Sequence, residues 1–465
     1  MAKWARTAVV GVALGLAVAA QAPAPAPGPL TLNAALAYAA QHYPAVQAAL
    51  ARVSGAEAGV ALAQTAYLPQ LNGVYQDSRG TQNQVSGLWL PTAVTPTLEG
   101  ALGGASGASY WGSQGGALLS WEPFDFGLRA ADVGQAEAAA AKSRGDLAVT
   151  RLQVESAVGD YFLLALANQQ TVVAAQANVQ RWQQVDQAVG TEVASGLKPG
   201  VDAARAEAEL ARAKTELYRA EQGASMARDL LAALLGAAGT AVRLDAGRLL
   251  QPPTTAALPG AAVGQHPLAL DQQAAVAEAQ AQAKVVGRTD YPRFLVQAEG
   301  LARGSGVPDA ATGGIHGVGS GLLPARGNWV AGVTVVLPDL FGFRARGQKM
   351  QQARAATAAA TARYQQTVQE LTGQQAAARD QLQAAQQVAA EMPIELRAAR
   401  EAEGQSRTRY QAGLATMVEV AEAEGLLAQA ERDEALARLQ VWRALLGVAE
   451  AQGDLAPLLQ LAGGH

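Results

Sequence analysis

The 465-residue chain contains no cysteine. That excludes a thiol nucleophile, a thiolate-held metal, a disulfide framework and lipid attachment through an N-terminal cysteine. Aromatic residues make up only 5% of it, so its 50% hydrophobic share rests largely on alanine. Alanine is the best helix former and a thin side chain, which favours long helices in close contact. Charge of one sign is also missing. The 35 Lys and Arg residues stand against 39 Asp and Glu, a net charge of −4, with no basic run. Interleaved charges mark solvated helix faces and argue against a nucleic-acid binder. The four histidines, His42, His266, His316 and His465, have no metal-ligand spacing, and HExxH, P-loop and GxSxG motifs are absent. Gly313 to Gly317 lacks the strand-to-helix context of a phosphate cradle. No enzyme activity, cofactor or metal is expected.

Long apolar runs are scarce too. Lys3 and Arg6 precede an apolar run from Ala8 to Ala20 with a small-residue exit, the pattern of a secretory signal over residues 1–20. Residues 21–29 repeat Ala-Pro as an extended spacer. Nothing later reaches the length of a membrane-spanning helix. The mature chain is therefore expected to be exported.

What the chain does have is a long helical pattern, present twice. One copy leads from Phe341 to Gly413 and returns from about Met417; the other leads from Gly127 to Gly196 and returns from Val201 to Leu235. From Leu147 to Val193 apolar residues alternate at spacings of three and four, with Val154, Val158, Ala165, Val179 and Trp182 among them. A period of 3.5 residues predicts coiled-coil packing. The return helix carries a thin seam from Ala213 to Leu234, mostly alanine and leucine. The landmarks recur in order. Pro44 and Pro69 are 25 residues apart, as are Pro267 and Pro292; Gly127 and Gly196 are 69 apart, Gly342 and Gly413 71 apart. Ala-Leu-Leu-Gly is expected to end both return helices, at Gly236 and Gly447. The predicted organisation is a first repeat over residues 30–250, a linker over 251–260 and a second repeat over 261–465. Pro393, deep in the long second helix, is expected to kink it.

Each repeat also carries two segments of period two. Strands are predicted over 70–76, 109–121, 294–301 and 329–337, separated by Gly-rich loops over 77–107 and 303–327. Four strands cannot close a barrel, and an open four-stranded sheet would leave its edges exposed. Closure needs further copies of the chain.

Leu30-Thr31-Leu32 with Ala35-Leu36 and Tyr43-Pro44, then Pro338-Asp339-Leu340-Phe341-Gly342, then Tyr410-Gln-Ala-Gly413-Leu414 followed by Val418-Glu419-Val420, resemble the outer membrane efflux protein family, of which TolC is the type. The resemblance covers about residues 30 to 455 and rests on the order and doubling of its motifs. It implies a mainly α fold with a small membrane β part. Three chains would close a twelve-stranded β-barrel continuous with a periplasmic α-helical tunnel. The implied function is the exit duct of a tripartite efflux pump or type I secretion system, in the outer membrane and extending into the periplasm. The implied partners are two further copies, outer-membrane lipid, a periplasmic adaptor (membrane fusion) protein and, through it, an inner-membrane pump. From the residues alone, a soluble periplasmic coiled-coil scaffold or adhesion protein that does not conduct is the competing reading.

Functional residues are expected at the hairpin turns. Gly196-Leu197 and Gly413-Leu414 would be the docking tips for the adaptor. Glu419 and Glu422 lie three apart on one helix face, and three-fold symmetry would turn them into acidic rings that favour cations. Asp202 and Arg205 occupy the matching positions of the first repeat, so that neighbourhood is partly neutralised. By resemblance, Tyr410 and Asp202 join the hydrogen bonds that hold the tip closed. Where the resemblance implies a basic residue two after the turn glycine, the second repeat has Ala415 instead, while Lys198 has that place in the first.

Overall fold

A computed structural model of the chain describes residues 29–81, 109–253, 257–306, 321–338 and 341–463. The predicted export signal, most of the spacer, Gly313 to Gly317, His316 and His465 lie outside these residues.

Each half begins with short helices that lead into strands. In the first half these are α1 (Leu32–His42), α2 (Pro44–Thr65), β1 (Gln70–Thr81) and β2 (Ser109–Phe124). Thr31 starts α1 by accepting a hydrogen bond from the Ala34 N–H, and Pro44 opens α2, where its missing N–H costs nothing. The long hairpin follows: α3 (Leu128–Ala194) and α4 (Gly200–Leu234). The second half repeats the plan with α5 (Pro267–Arg288), β3 (Arg293–Ser305), β4 (Arg326–Val336), α6 (Phe343–Gln411) and α7 (Met417–Gln452). A closing helix, α8 (Ala456–Gly463), packs on α1, so the two ends of the described chain meet. The long helices α3 and α6 have 67 and 69 residues. At ~1.5 Å per residue each is a rod of about 100 Å.

Two four-helix layers share these rods. On the strand side α3 packs against α2 and α5, and α5 against α6. Towards the turns α3 packs against α4 and α7, and α7 against α6. The main core lies where the layers meet, around Leu36, Phe162, Leu166, Leu231, Trp442 and Leu445. A second core lies near the turns, around Val179, Trp182, Val189, Tyr410 and Met417. The predicted α3 seam is buried or half-buried, but it was too narrow. Leu152, Phe162, Leu163 and Leu166 are buried as well, because α1 and α7 cover further faces of α3 there.

The four strands form one antiparallel meander in the order β1-β2-β3-β4. Leu71 pairs with Leu119, Leu119 with Ala298 and Ala298 with Ala331, so these four share one face. Tyr75, Trp121, Val296, Trp329, Val333 and Val335 alternate onto that same face. It is exposed: Trp329 is 82% accessible and Leu71 71%. The opposite face carries Asn72, Gln114, Gln297 and Glu299, and the last three are buried. This sheet is inside-out relative to a soluble protein, with its apolar face out and its polar face in, as in membrane β-barrels.

Two expectations are corrected. The loop predicted from Asp77 begins later, because Asp77 to Thr81 keep pairing with Ser113 back to Ser109. Likewise β3 extends to Ser305 and β4 begins at Arg326; backbone pairing carries the strands on where the side chains turn polar. Gly447 does not end its helix. It lies within α7, which runs to Gln452 and stops at Gly453 with φ +79°. Val448, Ala449 and Ala451 are buried just beyond it, and that burial outweighs the ~1 kcal/mol cost of an internal glycine. At Gly236, with φ +74°, α4 does end as expected. Pro393 lies within α6, which is continuous from Phe343 to Gln411.

The paired helical tips as the candidate functional site

The two turns are built alike. Gly196 has φ +71° and Gly413 φ +73°, a left-handed conformation that glycine adopts without a Cβ clash. Around them, Leu197 N donates to Glu192 O at 2.9 Å and Gly196 N to Val193 O at 2.9 Å; Leu414 N donates to Arg409 O at 2.8 Å and Gly413 N to Tyr410 O at 3.0 Å. Both are Schellman motifs, which close the orphan carbonyls at a helix end. In such motifs the residue after the glycine usually packs back onto the helix. Here Leu197 is 74% exposed and Leu414 71%, with Val201 beside Leu197 also exposed. Each tip presents apolar surface to its surroundings.

Beyond the turns the chemistry differs. Thr416 opens α7 with a capping box: its hydroxyl accepts from Glu419 N, and Glu419 Oε1 accepts from Thr416 N at 3.2 Å. Arg409 lies 3.9 Å from the other Glu419 oxygen. Glu419 is thus anchored at its own helix start, while Glu422 is exposed one turn on. In the first repeat Pro199 starts α4 with no side-chain cap, and its neighbours reach across instead. Tyr410 Oη donates to Asp202 Oδ2 at 3.0 Å. Lys198 Nζ donates to the Tyr410 carbonyl at 3.2 Å and sits 4.1 Å from the centre of its ring. Burial, then the Asp202 hydrogen bond, pushes the Tyr410 phenol above its ordinary value. The phenol therefore stays a donor throughout the neutral range. Arg205, the counterpart of Glu422, is exposed and joins no ion pair among the described residues.

The structure thus brings Tyr410, Asp202 and Lys198 together in one chain, while Glu419 bonds within its own hairpin and Glu422 is exposed on α7. His266 caps α5 by accepting from Leu268 N at 3.1 Å and bonds the Glu450 carbonyl at 3.2 Å. His42 instead stacks on Tyr38. Sequence reasoning missed a buried charged cluster behind the tip, Arg181 with Glu424 and Glu431. Its only sequence signal is a carboxylate in the stripe of α7 that also holds Val420 and Leu427.

The model of the outer membrane efflux protein family matches residues 35–237 and 258–454, once for each half. The chain belongs to the outer membrane efflux protein family. Among curated relatives, the pyoverdine export outer membrane protein OpmQ of Pseudomonas aeruginosa is 26% identical over 279 residues. That match spans 59% of this chain and 57% of OpmQ, so a little over half of the relative's length is covered. Solved structures agree along nearly the whole fold. A CusC structure has a TM-score of 0.73 at 15% identity, covering 91% of this chain and 92% of that one. VceC of Vibrio cholerae gives 0.69 at 18%, covering 91% and 96%. The open state of the MtrE outer membrane channel of Neisseria gonorrhoeae gives 0.72 at 18%, covering 91% and 89%. Family and fold are those of outer-membrane channel proteins with a periplasmic helical tunnel, not of enzymes.

Proposed function

We propose that three copies of the chain close a twelve-stranded outer-membrane barrel continuous with a periplasmic helical tunnel. This assembly is the exit duct of a tripartite efflux or type I secretion system. The inside-out sheet carries the reading. Its apolar face needs lipid, its polar face suits an aqueous lumen, and the two free edges, on β1 and β4, need partner strands. A non-conducting scaffold would leave Trp329, Leu71 and Val333 in water. In this reading residues 30–250 and 261–465 are the two repeats, joined by the linker at 251–260, and residues 1–20 are an export signal.

The tips, with Leu197 and Leu414 exposed, are the surface for a periplasmic adaptor, which in turn connects to an inner-membrane pump. Tyr410, Asp202 and Lys198 hold the two hairpins of one chain together at that end. Glu419 and Glu422 contribute acidic rings at the mouth, which Asp202 widens and Arg205 tempers. The likeness to a pyoverdine export protein supports a small secreted molecule as cargo.

Replacing both exposed leucines, Leu197→Asp with Leu414→Asp, tests the docking assignment. The variant is expected to reach the outer membrane as a trimer but to lose co-purification of the native adaptor and the efflux that depends on it. Recovery of the wild-type chain in the soluble periplasm would overturn the conduit. Retained adaptor binding by the double variant would overturn the tips as its dock.

A further inference from the structure

About 15 Å behind the second turn, at ~1.5 Å per residue, the two hairpins share a charged cluster that the tip does not use. Arg181 of α3 donates from Nε to Glu424 Oε2 at 3.0 Å and from Nη1 to Glu431 Oε2 at 2.9 Å, both acceptors being on α7. The Glu424 side chain is 0% exposed. A second carboxyl, Glu403 of α6, comes within hydrogen-bonding reach of it. Glu403 in turn lies 3.4 Å from Arg407. From α3 the neutral Asn178 is also buried here, with its Oδ1 unpartnered.

Glu424 Oε1 has no hydrogen-bond partner, although a carboxyl group is beside it. Two carboxylates cannot bond each other, and leaving a buried acceptor unmade is costly. A proton on Glu424 removes both difficulties. It supplies the donor that the pair lacks, and it leaves the carboxylates of Glu403 and Glu431 balanced against the guanidiniums of Arg181 and Arg407. Burial first, and the Glu403 charge second, raise the proton affinity of Glu424 against the opposing pull of Arg181. The cluster has no copy in the first hairpin. Near the turns Glu424 corresponds to Glu207, which is exposed, and Arg181 corresponds to Ala398.

We propose that Glu424 is a proton-bearing positioning residue, whose shared proton with Glu403 clasps α6 to α7 while Arg181 ties that pair to α3. The clasp sets the rest position of the second hairpin and of the Glu419 and Glu422 carboxylates it carries. Its pH dependence follows from the sign of the shift. A carboxyl whose folded proton affinity is raised contributes stability at pH below the ordinary carboxylate range, and loses it as pH rises through the raised value. The clasp is therefore tight at low pH and loosens as pH rises. Deprotonation adds a second carboxylate beside Glu403, which pushes α6 and α7 apart. The inference concerns contacts within one chain and holds whether or not the assembly conducts.

Hydrogen–deuterium exchange of the full chain in detergent tests it, from the ordinary carboxylate range up to pH 9 and corrected for intrinsic exchange rates. The peptides to follow are those around Glu403 and Glu424, with α5 peptides as reference. In the wild type, opening at Glu403 and Glu424 is expected to rise with pH, by up to tenfold per unit for one proton, while α5 stays flat. Glu424→Gln keeps the size of the side chain, supplies an N–H to Glu403 and keeps an acceptor for Arg181. It should stay protected, as the wild type is at the acid end of the range, with no pH slope. Glu403→Gln should lessen the slope without abolishing it, since the Glu403 charge is removed while burial still raises the Glu424 proton affinity. A flat wild-type profile, or a Glu424→Gln profile with the wild-type slope, would overturn the proposal. The glutamine variants preserve the packing, so the test does not depend on an alanine variant that fails to fold.

Discussion

The two hairpin tips of this chain share a backbone and differ in what their side chains reach. Both turn through a left-handed glycine, both satisfy their last carbonyls in the same way, and both leave a leucine exposed. The second tip then caps itself, with Thr416 and Glu419 bonded to each other's backbone. The first tip has no such cap, and its Lys198 and Asp202 cross to Tyr410 on the other hairpin. The counterparts show how the duplication divided the work. Where the first repeat has Val193, Lys198 and Asp202, the second has Tyr410, Ala415 and Glu419. Each hairpin supplies half of one cross-hairpin contact. Duplicated geometry supplies the frame, and divergence at a few turn positions supplies an asymmetric contact between its halves.

That comparison can be broken most strongly at Trp182, which is buried in the core that both tips share. Trp182→Ala should cost about 3–5 kcal/mol and open both turns to limited proteolysis together. If only one turn became cleavable, the tips would not be a single packed unit. Tyr410→Phe is a smaller change that touches only the cross-hairpin contact. It removes one hydrogen bond to a part-exposed carboxylate, worth about 1–2 kcal/mol. It should raise exchange at both tips while leaving the main core around Phe162 unchanged. Smaller still is the difference in capping. Thr416→Ala should cost about 1 kcal/mol and fray the start of α7. Pro199→Ala at the matching position should have a weaker effect on α4, because no side-chain cap is lost there. Equal fraying of α4 and α7, read by hydrogen exchange, would contradict the asymmetry.

Much of the frame was legible because it depends on local rules. Proline at helix starts, glycine at helix ends and the change from helical to strand period gave both rods, both turns and all four strands. The strand ends were misjudged because polar, Gly-rich segments such as Asp77 to Thr81 look like loop when backbone pairing is out of sight. Gly447 was misread because a glycine stops a helix only when nothing beyond it is worth burying. The site was less legible. Periodicity puts Glu419 and Glu422 on one face, but it does not say that Thr416 engages one of them. The Tyr410–Asp202 bond joins residues 208 apart in sequence and was approached only through family resemblance. The Arg181–Glu424 pair, 243 apart, carries no motif, since helix spacing tells which face a residue occupies and not what comes to meet it.

The central proposal is an outer-membrane conduit gated at its helical tips, and single-channel recording in planar bilayers tests it most directly. Purified wild-type chain should give discrete, low-conductance, cation-preferring events. Tyr410→Phe combined with Lys198→Ala should give larger openings, and Glu419→Gln combined with Glu422→Gln should reduce the cation preference. Absence of discrete channels in the wild type, or identical conductance and selectivity in all three proteins, would contradict the account.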